Sequence, residues 1–103
     1  GQATQAPAVD PSTVNVQVLN GTNVDGLAAT TAQKLEAARY KISRVGNAAR
    51  SYKTTTIFYQ QDSQPAAQQI AAALFPGAKL EPANNNTSPN IHVTVVVGED
   101  QAP

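Results

Sequence analysis

Val14-Asn15-Val16-Gln17-Val18-Leu19-Asn20-Gly21-Thr22-Asn23-Val24-Asp25-Gly26-Leu27-Ala28 is the stretch on which the fold turns. Valine alternates with polar residues from 14 to 18, the period of a strand with one buried face. A short loop bounded by Gly21 and Gly26 follows, and then an apolar pattern with helical spacing begins. The two glycines have the spacing of a phosphate-binding P-loop. That motif needs Lys and Ser/Thr directly after the second glycine, and Leu27 and Ala28 stand there instead. No third glycine completes a dinucleotide fingerprint either. The stretch is therefore a strand-turn-helix corner without the chemistry of a nucleotide enzyme.

Outward from this corner, Leu27, Ala28, Thr31, Ala32, Leu35 and Ala38 fall on one stripe of a helix expected over residues 26–39, with Asp25 as its N-cap. A second strand is expected over residues 40–45, closed by Gly46-Asn47, and a loop over 48–53. Residues 54–60 are rich in β-branched and aromatic side chains and predict a third strand. Asp62 and Ser63 are candidate caps for a second helix with Pro65 in its first turn. Ala66, Ala67, Ile70, Ala71 and Leu74 form its apolar stripe, and Pro76-Gly77 stops it. A short edge strand is expected over 78–81, a loop over 82–90, and a last strand over 91–97.

The resulting order is β-α-β-β-α-(β)-β. Two helices cover one face of a sheet and not two. The fold class is therefore α+β, an α/β two-layer sandwich: a mixed sheet with two helices packed on one face. The first, third and last strands are the most apolar and are expected in the centre. Asn15, Gln17, His92 and Thr94 are expected on the open face. Residues 1–12 read as linker, 13–100 as the domain, and 101–103 as a tail.

Composition narrows the function. Seven Lys and Arg balance seven Asp and Glu, so the formal net charge is zero. A neutral domain lacks the broad positive field that dominates nucleic-acid affinity. No cysteine and one histidine, His92, leave no disulfide framework, thiolate site or multi-histidine metal site. No apolar run reaches the ~18–20 residues of a spanning helix. The carboxylates are scattered and suggest no paired acid–base site. No catalytic residue, metal ligand or cofactor is assigned. The element order also fits an RNA-recognition layout, but that needs aromatics on one basic sheet face. Phe58 and Tyr59 are adjacent in a strand and point to opposite faces.

At the opening corner the chain also resembles the LytR C-terminal domain family. The pieces are Val18-Leu19-Asn20-Gly21-Thr22, Val24-Asp25-Gly26-Leu27-Ala28, Val45-Gly46-Asn47-Ala48, Tyr52 with Thr54-Thr55-Thr56-Ile57-Phe58-Tyr59, Leu74-Phe75-Pro76-Gly77-Ala78 and Val93-Thr94-Val95-Val96-Val97-Gly98. The resemblance implies a non-catalytic accessory domain of a bacterial envelope protein, outside the membrane. Its parent would be membrane-anchored, often with a LytR-CpsA-Psr domain that attaches glycopolymers to peptidoglycan. The "transcriptional" wording in some family names is not an indication of DNA binding.

Candidate binding residues fall in three groups, one of them the open face, where Asn15, Gln17, His92 and Thr94, with Phe58 or Tyr59, either contact a glycan or a protein or form an ordinary wet face. Asn20 and Thr22, with the N–H groups around Gly26, either contact an anion or sugar or simply turn the chain. Arg44, Arg50 and Lys53 around Tyr52 either contact an anionic polymer or face water. The expected ligand is peptidoglycan or an anionic wall glycopolymer. The alternative is a protein-protein module that packs on its own catalytic domain or on a partner envelope protein. Asn20-Gly21-Thr22, Asn85-Asn86-Thr87 and Asn86-Thr87-Ser88 match the N-glycosylation pattern; with a bacterial resemblance they read as loop composition.

Overall fold

The computed structural model describes residues 10–83 and 90–101. The remainder of the expected linker and of the 82–90 loop, the sequons at Asn85 and Asn86, and residues 102 and 103 lie outside the described residues. The elements run β1 (Asn15–Asn20), α1 (Leu27–Ala37), β2 (Lys41–Asn47), β3 (Thr56–Tyr59), α2 (Gln64–Leu74), β4 (Lys79–Pro82) and β5 (Val93–Val97). Single 3-10 turns at Pro11–Thr13, Gln61–Ser63 and Glu99–Gln101 join them. Two of these turns occupy residues expected in the linker and the tail.

The five strands form one mixed sheet in the order β2-β1-β5-β3-β4. β1 runs parallel to β2 and β5, β3 runs parallel to β4, and β3 meets β5 antiparallel. The most apolar strands, β1, β5 and β3, take the centre, where each has a hydrogen-bonded neighbour on both edges. β5 is buried along its whole length. β2, exposed at five of seven positions, is one edge, and the short β4 the other. Each helix links two parallel neighbours. The two crossovers run outward in opposite directions from antiparallel strands, so crossovers of one hand bring both helices to the same face.

The core confirms this layering. Val16, Val18, Val93, Val95 and Val97 point to the helix face and are fully buried, together with Ile57. Leu27, Ala28, Ala32 and Leu35 from α1 and Ala66, Ala67 and Ile70 from α2 close over them. Phe75, just past α2, is the largest fully buried side chain among the described residues.

Details of the caps differ from expectation. Asp25 does not cap α1. Gly26 is the cap, at φ 81°, and makes no side-chain hydrogen bond. Ser63 does take the N-cap position of α2, but its hydroxyl bonds no helix N–H; a 3-10 turn leads the chain into the helix. β2 runs on through Gly46 and Asn47 because its partner continues: they pair with Leu19 and Asn20.

Candidate functional site

The opening corner is held by its own side chains. Asn20 is buried; its Nδ2 donates to the Val24 carbonyl at 2.8 Å. Its Oδ1 accepts from the Thr22 N–H at 2.9 Å and from the Thr22 hydroxyl at 2.7 Å. The same hydroxyl accepts from the Val24 N–H at 3.1 Å. The polar groups of Asn20 and Thr22 are thus engaged inside the loop, where they replace a regular turn's hydrogen bonds.

Residues 48–55 then cross the end of the sheet from β2 to β3. Ala48 N–H donates to the Asn20 carbonyl and Tyr52 N–H to the Gly21 carbonyl; Glu99 N–H donates to the Tyr52 carbonyl. Two glycines permit this close approach. A Cβ on Gly21 would stand 2.8 Å from the Val97 carbonyl oxygen and 2.9 Å from the Tyr52 ring. A Cβ on Gly98 would overlap the backbone of Thr54 and Thr55. Thr55 completes the lock. Its hydroxyl donates to Asp100 at 2.7 Å and accepts from the Gly98 N–H at 3.0 Å.

The crossing loop makes a lip over the open face of β3 and β4. Beneath it is a polar hollow of about 260 Å³. Arg50, Ser51, Tyr52, Lys53 and Thr54 form the wall; Thr56, Lys79 and Glu81 form the floor. The Arg50 guanidinium lies 5.2 Å from the centre of the Tyr52 ring, a cation–π distance. No ion pair to a described residue neutralises Arg50, Lys53, Lys79 or Glu81. Of the sequence candidates, Arg50, Tyr52 and Lys53 meet here. Arg44 lies apart, on edge strand β2 beside Gln17. Lys79 and Glu81 were missed. Their alternation in the short edge segment was the available signal, and only the β3–β4 pairing brings them under the lip.

His92 is not on the open face with Gln17 and Thr94. It sits one residue before Val93, among Thr13, Val14, Asp62 and Ser63. Its Nδ1 accepts the Asn15 N–H at 2.9 Å, which ties the ring to the end of the sheet. A larger hollow, about 350 Å³, lies elsewhere, between the start of α1 and Gln101, lined by Val24, Leu27, Thr31 and Lys34 among others. Among the described residues no three His, Asp or Glu side chains converge on a metal position. No described helix is long and apolar enough to cross a membrane.

The fold and hollow define a small two-layer α+β domain that presents an unpaired cationic cleft on its open sheet face. The family described as LytR cell envelope-related transcriptional attenuator matches residues 13–100, and the chain belongs to this family. It is 35% identical over 102 residues to the cell wall biosynthesis protein LcpA of Corynebacterium glutamicum. That match takes in 98% of this chain but spans only 19% of LcpA. The fold is similar, at TM-score 0.71 and 22% identity, to the soluble domain of a conserved hypothetical secreted protein from Mycobacterium marinum, covering 87% of this chain and 62% of that one. It is also similar to the C-terminal domain of RV0431, at TM-score 0.54 and 29% identity, covering 95% and 84%.

Proposed function

We propose that this chain is a non-catalytic, extracytoplasmic accessory domain that holds a membrane-anchored cell-envelope protein against peptidoglycan or an anionic wall glycopolymer. The observation that carries the reading is the cleft: Arg50, Lys53 and Lys79 line one hollow with Tyr52, and among the described residues no carboxylate forms an ion pair with any of them. Family membership supports the envelope setting, as does a relative described as a cell wall biosynthesis protein. A fold neighbour described as part of a secreted protein supports the compartment. A guanidinium and two ammonium groups suit carboxylate or phosphate oxygens, and the tyrosine adds a ring face and a hydroxyl. In this reading the domain performs no bond-making step; its mechanism is positioning.

Co-sedimentation with purified peptidoglycan tests the reading. Retention above a neutral control domain is the expected result, and no retention overturns it. A second reading, a protein-protein module, rests on β2. That edge strand is largely exposed, and its Val45 is 46% accessible. Backbone amide shifts along residues 41–47 on adding a neighbouring LytR-CpsA-Psr domain, with no shift in the cleft, would favour it.

A further inference from the structure

We infer that the ligand of this domain is a linear anionic glycan read along the whole open sheet face, with Arg44 as the far anchor of a track that begins in the cleft. The inference rests on the cleft reading above. The strand register lines up Arg44, Gln17, Thr94, Phe58 and Glu81 side by side, one from each strand. Five adjacent strands give four spacings, so the row is about 19 Å long. Every member faces away from the helices, because its neighbours Val18, Val95 and Ile57 fill the core.

A bulge is what puts Arg44 in this row. The β1–β2 register slips between Val16 and Gln17, so that Ile42 pairs with Val16 and Arg44 with Gln17. In an unbroken strand, residues 42 and 44 would share one face. Here Ile42 packs against the core and Arg44 turns to the open side. Cations therefore stand at both ends of the face: Arg44 at one, and Arg50, Lys53 and Lys79 at the other. The floor between them is uncharged. Gln17 and Phe58 are half-buried, and the buried Thr94 holds Gln17 from below, its hydroxyl pointing at Gln17 Oε1 at 3.4 Å.

An amide and an aromatic ring suit the hydroxyls and C–H faces of sugar rings, while separated cations suit anionic groups spaced along a chain. Glu81 adds selectivity: its carboxylate, next to Phe58 in the row, repels an anion at that place and accepts from a sugar hydroxyl. A compact phosphate or a single charged sugar would use the cleft alone. A polymer would use both ends, and its affinity would grow with length until Arg44 is reached.

The test uses this chain and oligogalacturonates of one, two, four and eight residues, followed by amide shifts and calorimetry. Poly(glycerol phosphate) forms a second arm that separates phosphodiester from carboxylate recognition. In the wild-type domain, affinity is expected to rise at least tenfold from the dimer to the octamer. Arg44→Ala is expected to remove that gain and leave the short oligomers unchanged, while Lys79→Ala weakens every length. Glu81→Gln is expected to tighten the octamer, the most densely charged probe. Equal affinity at all lengths, or an octamer that binds Arg44→Ala as tightly as wild type, overturns the track and leaves the cleft standing. Absence of amide shifts with every probe overturns the track and the cleft together. All three variants change exposed side chains, and unchanged amide spectra without ligand establish that each is folded.

Discussion

Gly98 and Gly21 are the positions where one methyl group separates this fold from a broken one. The overlap at Gly98 is with backbone, which cannot swing aside as a side chain can. Gly98→Ala is therefore expected to cost about 1–3 kcal/mol or more in chemical denaturation. Gly46→Ala is the control: its Cβ would meet only Leu19 at 3.6 Å, and stability should be nearly unchanged. Equal losses at the two sites would contradict the close-approach argument. Asp10 supplies a prediction in pH. The Ser12 hydroxyl donates to its carboxylate at 2.8 Å and the Ser12 N–H at 3.0 Å, and Arg39 adds a weaker attraction. These hold Asp10 below the usual carboxylate range. A depressed acid stabilises the fold above its unfolded midpoint and loses that effect as pH falls through the lower folded one. The turn at Pro11–Thr13 is thus expected to stay capped at neutral pH and to loosen only in acid below the ordinary aspartate range. Carboxyl NMR titration reads this directly, and Ser12→Ala should bring the midpoint back towards the ordinary value.

Elements show where local signals suffice. The apolar stripes of α1 and α2 were legible because every residue of the period is supplied locally, and the buried positions follow them. Centrality of β1, β3 and β5 was legible from their valine, isoleucine and threonine content, since such residues suit a strand with a neighbour on each edge. Phe58 and Tyr59 do face opposite sides, with Tyr59 packed on the core. The cap of α1 was not legible, whereas Ser63 does stand at the cap of α2. Asp25 has the right chemistry, but Asn20 takes the Val24 carbonyl and shapes the loop so that Gly26 takes the cap position. β3 starts later than its sequence suggests because Thr54 and Thr55 belong to the lock on Gly98 and Asp100. That lock has its own test. Thr55→Val keeps the shape but leaves the Gly98 N–H without its buried acceptor, at an expected cost of about 1–3 kcal/mol. Hydrogen exchange should quicken at residues 98–101 before it does so in β1. Thr55→Ser should retain most of the protection, and unchanged exchange in Thr55→Val would remove the lock from the account.

Charge is organised at the scale of the molecule. Seven cations and seven carboxylates cancel, yet three of those cations and only one of those carboxylates line the cleft. Net charge therefore hides the site, and so does sequence distance. Residues 50–53 and residues 79–81 meet only through the β3–β4 pairing, while Arg44, close to Arg50 in the chain, lies at the opposite sheet edge. The fold joins two strand-helix-strand units around β5, which leaves one face closed by helices and the other free for a ligand. The central claim is that this free face holds an anionic wall polymer through the cleft cations. Co-sedimentation with purified, polymer-bearing peptidoglycan tests it most directly, comparing wild type with the charge-reversed Arg50→Glu, Lys53→Glu, Lys79→Glu variant, its fold checked by amide spectra. The account predicts retention of wild type that fades as salt shortens the Debye length from about 10 Å at 0.1 M towards about 3 Å at 1 M, and release of the variant at every salt concentration. Retention of the variant at the wild-type level, with the same indifference to salt in both, would contradict it.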